Sequence, residues 1–395
     1  MDDCIRILYL VDTLDDPSRG LLPHLVRLTK HLDPGHFKLR VIIVRGEPPE
    51  SEHQSLLGPV ERLGMGKMDP ISLAAARLRL YRKLRGANCD LICAYGWAAR
   101  AIGLPVAERA NPALRLSFVR DMGFGTGPRA LQMLQRNNGA ASRFVAASSA
   151  VASRLMRQEK VDRDLIDIIP SGIDCQRFPE RTPLTTVDAK HSFGFSAHEP
   201  VIVMFAPFEC TSDHPTFLRA AAHLIPHHPN ARFVLAGEGQ AAAVAAVKRL
   251  AVELHVSDRL IFDHDPASLH RWMQAADVGV HVSILESNSD SLLTCMAAGL
   301  PLVAARAGGN AEIIQHGQSG YLIDPLDADA LAMRIHILLV AGNVAAEFSA
   351  AAQNRVRAEF DIGREISNFS AYYRTLVYTS SDGWRRITRS SRNDL

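Results

Sequence analysis

HVSILESNSDSLLTCMAAGLPLVAARAGGNAEIIQHGQSGYLIDP, residues 281–325, is the stretch that decides the fold. A strand-like run ends near a carboxylate, Glu286, and a small polar turn follows in which Ser289, Asp290 or Ser291 can cap a helix ending at Gly299. Free backbone N–H groups at such a helix start form an anion site. A second run, PLVAA (301–305), leads to Arg306 and then to Ala307-Gly308-Gly309, where missing side chains let backbone approach a ligand.

Outward from this segment, short continuous apolar runs recur between longer helical patterns. Before it lie PVIVMFA (200–206), ARFVLAG (231–237) and RLIFDH (259–264); GYLI (320–323) closes the series. An earlier series holds IRILYLV (5–11), KLRVIIV (38–44), DLICAY (90–95), LRLSFV (114–119), RFVAAS (143–148) and LIDIIP (165–170). Runs that are continuous instead of alternating suit strands buried on both faces of a parallel sheet. The two series are separated by IPSGIDCQRFPERTP (169–183), a proline-rich polar passage that reads as a connection between domains. Leu21, Leu22, Leu25, Leu28 and Leu32 are spaced for one face of a helix. The last helical region, 344–376, runs into a polar, basic tail, GWRRITRSSRNDL, to which no structure is assigned.

Length and composition agree with two domains. At 395 residues the chain exceeds one ordinary core, and 47% hydrophobic with 22% charged residues excludes a disordered class. No run reaches about 18 apolar residues, and the acidic start MDDCIRILYLVD lacks the basic region of a leader, so a cytoplasmic protein is expected. The six cysteines (Cys4, Cys89, Cys93, Cys175, Cys210, Cys295) are scattered without zinc spacing and read as buried free thiols. A net charge of +2 gives no argument for nucleic acid, and none is expected as a partner. No acidic or histidine cluster stands at ligand spacing, so no metal is expected. GEG (237–239) lacks the full spacing of a dinucleotide fingerprint, which disfavours a nicotinamide enzyme.

Taken with its surroundings, 281–325 resembles the donor-binding half of the GT-B fold retaining glycosyltransferases, specifically family four. ILYLVDTLDD with its following helix, RDMGFGTGPRALQML, FVAASSAV, SGIDCQRF, FVLAGEGQ and WMQAADVGVHVS are similar to successive family segments in the same order, across nearly the whole chain. The resemblance implies an α/β protein of the GT-B class: two Rossmann-like doubly wound domains facing an interdomain cleft. The domains implied are 1–170 for the acceptor and 171–365 for the donor, with 366–395 a helix end and basic tail packing back toward the first domain. It further implies retaining transfer of a hexose from a nucleoside diphosphate sugar to a glycan or lipid-linked acceptor, in polysaccharide or glycoconjugate biosynthesis. The nucleotide sugar is then a substrate, and no cofactor is expected.

By the same resemblance Glu286 is the catalytic-site carboxylate, and Ser289, Asp290, Ser291, Thr294, Gly308 and Gly309 belong to the donor site, with Gly20 kept from the family's first glycine loop. Departures fall where the chemistry sits. The family's Arg and Lys that point at the donor diphosphate are Pro207 and Ser212 here, and the second of its paired glutamates is Thr294. Tyr95 and Arg120 stand where many members have histidine. Two lost charge-assisted contacts weaken diphosphate binding by about 3–6 kcal/mol unless replaced, and a helix start returns only about 0.3–1 kcal/mol. A replacement cation is therefore required for catalysis, and Arg306 and Arg19 are the candidates. Each residue also has a plainer reading: Arg306 as a solvated loop charge, Glu286 as a helix cap, Thr294 as core, Glu312 as a helix-start residue; His281 reads as a core histidine. The alternative for the whole chain is a degenerate, non-catalytic relative that binds a partner or a glycan.

Residues 71–86, ISLAAARLRLYRKLRG, join an apolar helical face to Arg77, Arg79, Arg82, Lys83 and Arg85. Such a helix either packs with a solvated basic face or lies on an anionic membrane, which would make the protein peripheral on the inner face.

Overall fold

The computed structural model describes residues 4–13, 21–46, 57, 60–65, 70–123, 126–178, 181–285 and 290–390. The chain divides into two compact units, Met1–Pro170 with Glu365–Leu395, and Ser171–Arg364.

The first unit is built on a seven-stranded parallel sheet. Its strands are β1 (Ile5–Val11), β2 (Phe37–Ile43), β3 (Val60–Arg62), β4 (Leu91–Tyr95), β5 (Leu114–Val119), β6 (Arg143–Ala146) and β7 (Ile166–Ile168). They lie in the order β3-β2-β1-β4-β5-β6-β7. Alternate residues of β1 enter two different cores: Leu8 and Leu10 pack with Leu80, Leu84 and Ile102, while Ile7, Tyr9 and Val11 pack with Leu25, Leu28 and Tyr373. A sheet covered on both faces needs apolar side chains on both, hence the run IRILYLV, interrupted only by Arg6, which pairs with Asp90 at the start of the strand. β3 lacks that signal because it is a three-residue edge strand of half-exposed residues.

The second unit holds a six-stranded parallel sheet of β8 (Val201–Phe205), β9 (Arg232–Ala236), β10 (Leu260–Asp263), β11 (Val278–His281), β12 (Leu302–Ala305) and β13 (Tyr321–Ile323). Their order is β10-β9-β8-β11-β12-β13. β8 repeats the logic of β1, with Val201, Val203 and Phe205 in one core and Ile202 and Met204 in the other. Where the chain enters and leaves this unit, Ile173 N–H donates to Phe360 O (2.8 Å) and Ile362 N–H to Ile173 O (3.0 Å).

The tail is helical, contrary to the sequence reading. One helix runs Ile362–Ser390, through a stretch that contains no proline and, beyond Gly363 in its first turn, only Gly383 to stop it. From Glu365 onward it belongs to the first unit, burying Phe369 and Tyr373 against β1 and the helix Leu21–His31. Two such aromatics bring about 1.5–3 kcal/mol each from burial alone. The cysteines are free, but only Cys93 and Cys295 are buried as expected; Cys4, Cys89 and Cys175 are half-buried and Cys210 is exposed on the loop after β8.

A buried charge network fixes this helix. His24 Nδ1 lies 3.0 Å from Glu365 Oε1 with both side chains inaccessible, Tyr95 OH lies 3.3 Å from His24 Nε2, and Arg120 Nη1 lies 3.3 Å from His24 Nδ1 and 3.9 Å from Glu365. Burial, reinforced by the Arg120 charge, lowers the His24 pKa to about 4, so the ring is neutral at pH 7. Burial alone would raise Glu365, yet its histidine and arginine neighbours bring it down to about 2. Both folded values lie below the unfolded ones, so the stabilisation is complete above about pH 6.5 and is lost as pH falls through 6.5 to about 4 for His24 and 4.5 to about 2 for Glu365. Thermal melts should therefore show Tm falling below about pH 6. Glu365→Gln should lose about 3 kcal/mol at pH 7, with a flatter acid limb; an unchanged acid limb contradicts the assignment.

Candidate functional site

In an open parallel sheet a ligand crevice forms where the strand order reverses, outside the carboxyl ends of the strands. The second sheet reverses between β8 and β11: the chain builds outward through β9 and β10, then returns to the other side of β8. The loops leaving β8 and β11 flank this point and are joined there by Ile284 N–H donating to Thr211 O at 2.8 Å. The loop after β12 is the next neighbour.

From β11 the chain passes through 282–289 into the helix Asp290–Ala297. Glu286 and Ser289 lie outside the described residues, as do Arg19 and Gly20. Asp290, Ser291 and Thr294 are partly buried in the first turn and a half of that helix. The Thr294 hydroxyl donates to Asp290 O at 2.6 Å, which leaves its lone pairs as an acceptor site. Ser291 Oγ stands 3.5 Å from Nδ1 of His281, which is buried on β11.

From β12, Arg306 N–H donates to Ile323 O at 2.7 Å and anchors the strand end, while the residue as a whole is exposed and makes no ion pair among the described residues. Gly308 has φ 51, a left-handed conformation that other residues adopt at a cost of about 1–2 kcal/mol. Asn310 donates Nδ2–H to Ala305 O at 3.0 Å and closes the loop; Glu312 is half-buried on the short helix Asn310–Ile313.

The loop after β8 holds what sequence reading missed. Pro207 is exposed and Ser212 buried. Asp213 adopts φ 56 and caps the helix His214–Leu224, accepting from Thr216 N–H at 3.4 Å. Its Oδ2, His214 Nε2 and Thr216 Oγ1 are buried without a hydrogen-bond partner among the described residues. Burial raises the Asp213 pKa and lowers that of His214 to about 4, leaving the imidazole neutral, stacked on Phe208 at 4.5 Å. Residues 206–213, APFECTSD, therefore bring two acids, Glu209 and Asp213, and no cation. Gly237 explains the weak glycine signal: a Cβ there would sit 2.0 Å from Ala206 O, so the loops after β8 and β9 pass too closely for a side chain.

The first sheet reverses between β1 and β4. There Asp12 accepts from Ala98 N–H (3.1 Å) and from Arg45 Nε (2.5 Å), and Arg45 lies over the Trp97 ring at 4.9 Å. Tyr95 and Arg120 close β4 and β5, both engaged with His24 and Glu365 as described. Among the described residues no three His, Cys, Asp or Glu side chains gather as metal ligands.

Two family profiles match successive parts of the chain: Glycosyltransferase Family 4 over residues 19–177 and Glycosyl transferases group 1 over 199–340. The chain belongs to the group 1 glycosyl transferases. Its fold is GT-B: the crystal structure of Anabaena HepE in complex with UDP superposes with a TM-score of 0.81 at 19% identity, covering 94% of this chain and 100% of that one. Among curated relatives, the D-inositol 3-phosphate glycosyltransferase of Pseudarthrobacter chlorophenolicus is 25% identical over 295 residues, 70% of this chain and 69% of the relative. D-inositol 3-phosphate glycosyltransferase 2 of Catenulispora acidiphila is 29% identical over 279 residues, 66% and 64% respectively.

Within this glycosyl transferase, Asp213 offers a direct test of the β8 loop. Asparagine keeps the cap and tolerates the left-handed backbone but removes a buried charge. Because burial raises the folded pKa of Asp213, its ionisation costs stability once pH rises above the usual aspartate range. Asp213→Asn should thus gain about 1 kcal/mol in urea unfolding at pH 7, a gain that vanishes near pH 3. A loss at pH 7 would mean that the carboxylate is held by a partner.

Proposed function

We propose that the protein transfers a hexose, with retention of anomeric configuration, from a nucleoside diphosphate sugar to a glycan or lipid-linked acceptor in polysaccharide or glycoconjugate biosynthesis. The donor is assigned to the second unit at the β8–β11 reversal, and the acceptor to the first unit. The work is placed on the cytoplasmic side of a membrane; no single helix among the described residues is long and apolar enough to cross one.

The observation that carries this reading is the exposed Arg306 beside the Gly308-Gly309 turn. A donor diphosphate brings about two negative charges, and residues 206–213 supply two acids where the family has cations. The phosphates are then held toward β12, by Arg306 and by backbone N–H groups of the glycine turn and of the helix start at Asp290. HepE, crystallised with UDP and with UDP-glucose, supports a nucleotide sugar as the ligand class.

Glu286 is assigned to the transferred sugar and Thr294 to the ribose, as hydrogen-bond acceptor. In the transfer, the bond from the anomeric carbon to the diphosphate oxygen breaks while the acceptor oxygen bonds to that carbon on the same face. The acceptor's proton passes to the departing phosphate oxygen. Orientation and stabilisation of the leaving diphosphate supply most of the rate, and no cofactor takes part in this reading.

Calorimetric and thermal-shift titration with nucleotides and nucleotide sugars tests it. At least one nucleoside diphosphate sugar should raise Tm, and Arg306→Ala should weaken its binding tenfold to a hundredfold, from the ~1.5–3 kcal/mol of a charge-assisted contact. The unliganded Tm should stay unchanged, since an exposed side chain contributes within about 0.5 kcal/mol. If no nucleotide sugar shifts the melt at millimolar concentration, the non-catalytic reading replaces this one.

A further inference from the structure

His228 and His336 meet across a seam within the second unit: Nε2 of the first stands 2.9 Å from Nδ1 of the second. Their rings are tilted by 54° with centroids 5.1 Å apart, so they approach nitrogen to nitrogen and are not stacked. A third imidazole, His227, lies edge-on to His336 at 6.0 Å between centroids. His228 sits on the turn after the helix His214–Leu224, and His336 on the helix Ala328–Val340. β9 begins at Arg232, so His228 lies toward the amino ends of the strands, away from the crevice at their carboxyl ends.

Both rings are carried on fixed backbone. His228 N–H donates to Leu224 O at 2.8 Å, its carbonyl accepts from Ala231 N–H at 3.0 Å, and Pro226 and Pro229 flank it. His336 follows Ile335, which is buried in the core with Leu331 and Leu338. Both histidines are half-buried, so water reaches them. Burial, together with the neighbouring His336 and His227, lowers the pKa of His228 and keeps it neutral at pH 7, the state in which imidazole is a ligand. Two metal–nitrogen bonds of about 2.0–2.1 Å, at an angle of about 90–109°, set their nitrogens about 2.8–3.4 Å apart. The pair already stands within that range.

We propose that His228 Nε2 and His336 Nδ1 together bind one divalent transition-metal ion, with water completing its coordination shell. An all-imidazole donor set selects zinc, nickel or copper over magnesium or calcium, which take oxygen ligands. On binding, the proton of the present nitrogen-to-nitrogen hydrogen bond moves through solvent to the outer nitrogen of its own ring, and both inner lone pairs turn to the ion. Two bonds to one ion clasp the turn at 225–230 to the helix Ala328–Val340. The inference is independent of the transfer chemistry.

Calorimetric titration of the full chain with nickel chloride and with zinc chloride at pH 7 tests it. The tightest site should take one ion per chain, and its filling should raise Tm, because the clasp exists only in the folded state. Losing a ligand costs at least the roughly 10- to 100-fold that an outer-shell partner does, so His228→Ala and His336→Ala should each weaken binding by that much. The double variant should bind no more weakly than either single one, since both residues hold the same ion. His336→Asn keeps a hydrogen-bonding partner for His228 and should leave the metal-free Tm near wild type while losing the ion, which separates ligation from the hydrogen bond. His198→Ala, at an exposed histidine elsewhere in the unit, should bind like wild type. The absence of one-to-one binding at millimolar nickel and zinc, or wild-type binding by His336→Asn, overturns the proposal.

Discussion

Parallel strands can neighbour one another only through crossovers, and the helices of those crossovers must cover both faces of the sheet. That constraint sets most of what is seen in this chain. It demands apolar residues on both strand faces, as in β8 and in β1 from Ile7 onward, whose alternate side chains enter separate cores. It also gathers the loops after all strands of a sheet at one edge, and the reversal of strand order between β8 and β11 opens that edge. The segments presented there by β8, β11 and β12 are short, 206–213, 282–285 and 306–310, while the rest of the second unit holds them in place.

Within those segments charge has moved. The loop after β8 brings Glu209 and Asp213, and its one basic side chain nearby, His214, is made neutral by burial. The loop after β12 has an exposed arginine, Arg306, two residues before Gly308, whose backbone is left-handed. The loop after β8 is thus acidic and the loop after β12 basic, so an anion proposed for this crevice would be drawn toward β12. Burial raises the pKa of the Asp213 carboxyl, and its capping contact with Thr216 N–H and the nearby Arg219 charge offset only part of that effect.

Much of this was legible in the amino-acid sequence, for physical reasons that also mark the limit. Twelve apolar runs correspond to twelve of the strands, because burial on both faces leaves an unmistakable pattern. β3 escaped it, since an edge strand of three residues has only one apolar side chain, Val60. The long last helix was cut short by its polar composition, although its first half is anchored by Phe369, Tyr373 and the Glu365–His24 contact. The position of Arg306, Gly308 and Gly309 on the loop after β12 was readable because an apolar run ends just before them. Asp213 and Gly237 were not: a capping aspartate and a lone glycine look ordinary until the fold brings the β8 and β9 loops within van der Waals distance. The pairing of Arg45 with Asp12 across the first reversal likewise joins residues 33 apart that no local pattern connects.

The account turns on where the donor's phosphates rest. A crystal structure of the protein with a nucleoside diphosphate bound tests it most directly. The diphosphate should lie within hydrogen-bond distance of the Arg306 guanidinium and of the backbone N–H groups at Gly308 and Gly309, clear of Asp213. Phosphates seated against Pro207 and Ser212, with Arg306 turned to solvent, would contradict it.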